Sequence, residues 1–208
     1  MDAPRNAVVL DVGCGNGSPF WFKAKRPDIY YVGLDVGDYN QAADANTVAN
    51  EYIISDSKSF VSTIEQMGAR FDMVVSSHNI EHCADPEGVL RAMIGGLKPG
   101  GRLYLSTPCE DSVSFPSRAG SLNFFDDETH TSPIRFDLIK KIVRENGGEI
   151  EFEARRYRPK WLALRGLLYE PMSIVMRKVD FNGSTWALYG FESVIWMRKR
   201  SDVTVTAS

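Results

Sequence analysis

Blocks of apolar residues alternate with mixed, polar-faced segments along this chain. Val8–Val12 (VVLDV) is an apolar run closing on a glycine cluster, which predicts a buried strand feeding a tight turn. A short helix is expected over Ser18–Lys25, ended by the Arg26-Pro27 step. Ile29–Asp35 (IYYVGLD) is a second strand, and a short helix is expected within 39–50. Glu51–Asp56 is a third strand, followed by a helix over Ser57–Met67. Phe71–Val75 is a fourth buried run, with Ser76–His82 emerging from its carboxyl end. Asp85-Pro86 starts a helix to Gly95, and a Pro-Gly-Gly turn leads into a fifth strand in LKPGGRLYLSTP. Short strands alternating with helices predict an α/β domain built on a parallel sheet.

The second half is less regular. A long loop from Thr107 to Ser132 carries FFDDETH, and its aromatic content predicts an ordered, functional segment. Phe136–Asn146 reads as a helix with Gly147-Gly148 at its end, and GEIEFEARRY as a strand. An insert then runs from Arg158 to about Ser184, and the whole of TWALYGFESVIWMRKR is expected as the last strand, bulged at Gly190. The tail SDVTVTAS is expected to fray.

Composition narrows the class. With 208 residues, 43% hydrophobic and 25% charged, the chain is expected to be one domain over 1–208, with 108–132 and 158–184 as substrate or lid inserts. A net charge of −3 offers no electrostatic reason for a nucleic-acid partner. There is no basic-then-apolar leader and no run of transmembrane length. Cys14, Cys83 and Cys109 are odd in number and lack a C-x-x-C pair, which suits reduced thiols and a cytoplasmic location.

The glycines carry the first chemical signal. Gly13, Gly15 and Gly17 fall at every second position behind Asp11. Such a turn allows positive φ and close approach of a ligand to backbone amides at a helix start. The dinucleotide fingerprint G-x-G-x-x-G needs its third glycine one residue later, where Ser18 stands, so a nicotinamide dehydrogenase is disfavoured. An acid at the end of the second strand, here Asp35, accepts hydrogen bonds from ribose hydroxyls in nucleotide-binding α/β folds.

The string VVLDVGCGNGS, followed in order by Asp35, Asp56 and the K-P-G-G turn, resembles the class I S-adenosylmethionine-dependent methyltransferases. The resemblance covers about the first half of the chain. It implies a Rossmann-like, doubly wound seven-stranded sheet whose last strand is antiparallel and inserted between the fifth and sixth. It also implies that S-adenosylmethionine is the cofactor and S-adenosylhomocysteine the product. Asp11, Gly13, Gly15 and Gly17 would then hold its methionine end, Asp35 and Val36 its ribose side, and Asp56 and Ser57 its adenine, with Ser76 beside them. Many members cover the cofactor with an N-terminal helical segment that is almost absent here. The cover would come from elsewhere in the chain, from a neighbouring subunit of a homodimer, or from residues preceding this sequence.

Methyl transfer to a hydroxyl is helped by a base, and histidine, with an unperturbed pKa of about 6.5, is the natural one. The chain has three, His78, His82 and His130, and all are candidates for catalysis. The string I-E-H-x-x-D-P is similar to that of quinone-biosynthesis and natural-product O-methyltransferases, some of which hold a divalent cation near this His. His78 stands where an upstream acid would be wanted, so no metal is expected, a His78/Glu81/His82/His130 cluster being the lesser alternative. Ser76-Ser77-His78-Asn79 lacks the Asn/Asp-Pro-Pro-aromatic pattern of DNA amine methylases. RRYRPKWLALR would be a solvated face or a phosphate-binding one, and LALRGLLYEPM an amphipathic lid on the cleft or on a membrane surface, the lid being preferred. The expected function is methyl transfer to a small-molecule hydroxyl of a sugar or secondary metabolite. Methylation of protein or RNA, or a non-catalytic cofactor-binding subunit, are the alternatives.

Overall fold

The computed structural model describes residues 3–15, 17–37, 44–56 and 58–201. Seven strands form one sheet: β1 (Val8–Val12), β2 (Tyr30–Asp35), β3 (Glu51–Ile54), β4 (Phe71–Ser77), β5 (Leu97–Pro108), β6 (Gly148–Ala154) and β7 (Glu192–Lys199). Their order is β3-β2-β1-β4-β5-β7-β6. The first five pair in parallel, and β7 runs antiparallel between β5 and β6. The chain leaves β1 toward β2 on one side and returns to β4 on the other. The carboxyl ends of β1 and β4 therefore flank the crevice where open α/β sheets bind ligands.

The strand pattern explains the layering. Leu10 and Val12 point to one face, where they join Val74, Leu103 and Leu105 in the larger core. Val9 points to the other, packing with Tyr31, Met73 and Phe22. The larger core is closed by α2 (Phe60–Gln66), α3 (Pro86–Gly95) and α4 (Phe136–Glu145), and Phe22 of α1 (Ser18–Lys25) covers the smaller one. In α3 the buried positions Val89, Leu90, Ala92, Met93 and Ile94 make one face, and Asp85 caps its start by accepting from Gly88 N at 2.8 Å.

Several expectations are corrected. Residues 185–189 of the expected last strand instead belong to α6 (Ser184–Tyr189), and the strand begins only at Glu192. Gly190 (φ +65) is the left-handed cap of that helix, not a bulge. A Cβ there would meet Arg158 Nε at 2.7 Å, so backbone conformation and packing both require glycine. The insert at 158–184 is mostly one helix, α5 (Lys160–Met176). The helix expected over Ser57–Met67 starts three residues later, at Phe60. Of the one expected within 39–50, residues 39–43 lie outside the described residues, and 45–47 form a 3-10 turn capped by Asp44. The K-P-G-G turn is absorbed into β5, where the register with β4 slips between Phe71 and Met73.

Leu90 is completely buried where α3 meets the sheet. Leu90→Ala should cost about 2–5 kcal/mol through lost burial and the cavity left behind. Urea unfolding should then show a lower midpoint with an unchanged slope.

Candidate active site

The glycine turn is folded back onto the end of β2. Gly13 N and Cys14 N donate to Leu34 O at 2.8 and 3.2 Å, and Gly15 N donates to Asp35 Oδ2 at 2.6 Å. The other Asp35 oxygen accepts from Val36 N at 2.7 Å. Gly13, Gly15 and Gly17 all have positive φ (+73, +53 and +95), which side chains rarely adopt. Gly13 is also covered: a Cβ would sit 2.3 Å from the Asn79 side chain. Gly15 and Gly17 have nothing within 4 Å of that position, so this stretch of backbone faces open space. A cradle bare of side chains beside a ribose-type acid fits the methionine and ribose portions of S-adenosylmethionine.

Asp11 lies behind this cradle. Its carboxylate is 3% exposed and accepts from Tyr31 Oη at 2.7 Å and from the Ser18 hydroxyl. Burial pushes its pKa up to about 6, against the lowering effect of the Ser18 and Tyr31 bonds, with the Asp35 charge adding to the rise. It braces the turn from inside. Asp56 is exposed, and its carboxylate accepts from Lys58 N, Ser59 N and the Ser59 hydroxyl at 2.8 to 3.1 Å. These bonds, Lys58 N first, hold it below the usual carboxylate range. Val36 presents an exposed apolar side chain next to Asp35. Ser76 is completely buried, backbone and side chain alike, and presents no surface to the crevice. The next residue, Ser77, is the exposed one, its hydroxyl 2.8 Å from that of Ser106. Ser57 lies outside the described residues.

The three histidines gather around Glu81. Beyond β4, His78 takes a left-handed backbone (φ +50), a strained turn that sends the chain into the 3-10 helix Ile80–His82. Glu81 is buried, accepts from Thr107 Oγ1 at 3.1 Å, and faces His78 Nδ1 at 3.3 Å. Its backbone carbonyl accepts from Thr131 N at 2.9 Å, which ties the long loop, and with it His130, to the end of β4. His78 Nε2 meets Glu192 at 2.9 Å, and its ring lies against Trp186 and Phe191. Burial disfavours the charged ring, but the Glu192 and Glu81 contacts outweigh it and push its pKa up to about 9. The two carboxylates thus favour the imidazolium form of His78, which does not suit it to accept a proton.

His82 and His130 are differently held. Their ring centroids are 4.7 Å apart. Thr129 Oγ1 donates to Asp127 Oδ1 at 2.5 Å, a carboxylate kept below its ordinary range chiefly by that bond. Its hydrogen being used, Thr129 must accept from His82 Nδ1, 2.8 Å away. His130 Nδ1 faces the Phe124 carbonyl, which can only accept. Both rings thus have Nδ1 engaged, and Nε2 of each is the ring nitrogen with no hydrogen-bond partner among the described residues. Glu81, His82 and His130 each bring a ligand atom within 4.8 Å of the others. That donor set, with both Nδ1 positions fixed by neighbours, is able to take up a proton or to hold a divalent cation.

Sequence reasoning missed Glu192, Asn79, Trp186 and the Thr129–Asp127 relay. The relay was within reach, since D-x-T-H places the acceptor two residues before the threonine. Glu192 had no local signal: it meets His78 from 114 residues away because β7 pairs Glu192 with Pro108 on β5.

Residues 2–151 match the family described as "Methyltransferase domain". The chain belongs to this family. It is a class I S-adenosylmethionine-dependent methyltransferase domain, as the acid-and-glycine turn implies. The sterol 24-C-methyltransferase of Debaryomyces hansenii is 30% identical over 162 residues, covering 74% of this chain and 43% of that protein. A ubiquinone biosynthesis O-methyltransferase of Pseudomonas paraeruginosa is 34% identical over 102 residues, 48% of this chain and 44% of that protein. The chain thus spans less than half the length of these relatives. The crystal structure of a SAM dependent methyltransferase from Archaeoglobus fulgidus shares the fold with a TM-score of 0.57 at 19% identity, covering 93% of this chain and 86% of that one.

The His78 ring should titrate near pH 9 by NMR. Since its folded pKa lies above the unfolded value, its stabilising contribution is complete below about pH 6.5 and is lost as pH rises through 9. Glu192→Gln should move the titration down. A wild-type midpoint near 6.5 would show that the ion pairs do not form.

Proposed function

We propose that this domain transfers a methyl group from S-adenosylmethionine to a hydroxyl of a small molecule, a sugar or secondary metabolite. The observation that carries the reading is the pair of imidazoles whose Nε2 atoms have no partner among the described residues, His82 on the segment whose Asn79 packs directly on Gly13 of the turn and His130 tied to that segment through Thr131. When bound, S-adenosylmethionine supplies an electrophilic methyl carbon on a positively charged sulfur. The Gly13–Gly17 backbone holds its methionine end. Asp35 keeps lone pairs beyond those taken by Gly15 and Val36 and accepts the ribose hydroxyls. Val36 would offer an apolar contact and Asp56 an acceptor for the adenine. Nε2 of His130 or His82 would take the proton that the acceptor oxygen loses as the methyl group passes from sulfur to that oxygen, the S–CH3 bond breaking and S-adenosylhomocysteine leaving. His78 keeps its proton and, with Glu81 and Glu192, positions that segment. Holding the acceptor oxygen in line accounts for much of the rate. Cys14, Cys83 and Cys109 are free thiols, which supports a cytoplasmic enzyme.

A second use of the cluster has the same geometric support: Glu81, His82 and His130 could bind a divalent cation that orients the acceptor oxygen. Chelation separates the two uses, since a proton-accepting pair works undiminished in excess EDTA.

Calorimetric titration with S-adenosylhomocysteine tests the cofactor site, and methyl transfer to a panel of phenols and sugars tests the acceptor. Asp35→Ala should weaken the product's binding by about 1.5–3 kcal/mol, the scale of a charge-assisted hydrogen bond. Unchanged affinity would remove Asp35 from the site. His130→Ala should lower turnover and leave that affinity near normal. Lost affinity would instead make His130 part of the cofactor site.

A further inference from the structure

Helix α5 is built inside out. Its inward side is small and polar. Gly166 is buried so close to α6 that a Cβ would fall 2.2 Å from Ser184 O. Ser173 accepts from Arg118 Nη1 at 2.7 Å, and Glu170 pairs with the same guanidinium at 2.6 Å and with Tyr189 Oη at 2.6 Å. The outward side is apolar. Trp161, Leu164, Leu168, Met172 and Val175 recur at helical spacing, which puts all five within one narrow stripe, and they are 51–84% exposed. Phe181, just beyond the helix, is 91% exposed. Of the two places expected for an amphipathic lid, the cleft and a membrane surface, the structure does not use the first: this apolar face is turned to solvent.

Charge says what fits there. Residues 158–178 carry five cations and a single acid, Glu170, in a chain whose net charge is −3. That acid is consumed by Arg118. The cations cluster at both ends, Arg158 and Lys160 before the stripe and Arg177 and Lys178 after it, and all four are exposed. Among the described residues, none of these four has an ion-pair partner. In a twofold dimer through this stripe, cationic ends would meet cationic ends whether the helices ran parallel or antiparallel. A bilayer with anionic headgroups instead takes the apolar stripe into its interface and the cations onto its phosphates. The helix, at 17 residues, lies along the surface: no helix among the described residues is long and apolar enough to cross a membrane.

We propose that α5 and Phe181 form a docking surface for the anionic face of a phospholipid bilayer. The surface flanks the active-site edge. Because β6 runs parallel to β5 across β7, its carboxyl end, from which α5 follows, lies at the same edge of the sheet as the glycine turn. Arg118, which holds α5, belongs to the long loop that carries His130. The inference is independent of which acceptor is methylated.

Sedimentation with vesicles tests it. The protein should sediment with vesicles of phosphatidylcholine containing phosphatidylglycerol, far less with phosphatidylcholine alone, and high salt should release it. Brominated lipid should quench tryptophan fluorescence in the wild type and much less in Trp161→Phe. Leu168→Glu should abolish binding, and the pair Lys160→Glu and Arg177→Glu should reduce it at least about tenfold. Both variants should retain wild-type affinity for S-adenosylhomocysteine, which excludes misfolding as the cause. Absence of vesicle binding by the wild type, or binding that Leu168→Glu leaves intact, would overturn the proposal. So would a dimer in sedimentation velocity that Leu168→Glu converts to monomer, since the stripe would then belong to a second copy.

Discussion

The site depends on the clamp between the turn after β1 and the end of β2. Three consecutive amides, those of Gly13, Cys14 and Gly15, are spent on Leu34 O and Asp35. This bends the backbone through three positive-φ glycines and leaves the Gly15 and Gly17 positions open to the crevice. Asp11, braced by Tyr31 and Ser18 beneath it, supports the bend at the cost of burying a carboxylate, which its raised pKa records. A side chain at any of the three glycines would oppose the bend, and one at Gly13 would also displace Asn79. Asn79 is the physical link between the cradle and the histidine segment.

Glu81 organises the opposite wall. Its side chain joins β5 through Thr107 and the β4 exit through His78, and its backbone holds the long loop through Thr131. A single buried residue, through side chain and backbone together, thus sets where His82 and His130 stand relative to each other. The three histidines, alike in sequence, are separated in chemistry by their partners. Two carboxylates favour the charged form of His78, whereas a threonine relay and a backbone carbonyl engage only the Nδ1 atoms of His82 and His130.

The same physics read in reverse explains α5. Helices of soluble domains usually bury their apolar stripe, because apolar surface is what water expels. Here the buried contacts are a glycine, a serine and an ion pair, and the exposed ones are tryptophan, leucine, methionine and valine. An arrangement this unfavourable in water has its rationale in a less polar surrounding, and the basic ends of the helix say which kind.

Local sequence determined a great deal. Apolar runs located all five parallel strands, those of β1, β2 and β3 closing on an acid or a glycine, because buried strands need contiguous apolar residues and tight turns need positive φ. The acid-and-glycine turn and Asp35 were legible for the same reason: their chemistry lies within a few bonds of the backbone. The errors came where local pattern is ambiguous. Ser184–Tyr189 has residues at home in a strand, yet it folds as a helix because Gly183 and Gly190 cap it at both ends and α5 packs on it through Gly166. Ser76 looked like a site residue by position, but alternation along β4 turns its side chain into the protein and leaves Ser77 outside. Which histidine is charged, and which way α5 faces, depended on Glu192, Asp127 and Arg118. These groups reach their partners through the pairing of β7 with β5, a tight loop turn and the packing of the insert. A side chain's protonation and exposure are set by what surrounds it in space, and only the tertiary structure supplies those neighbours.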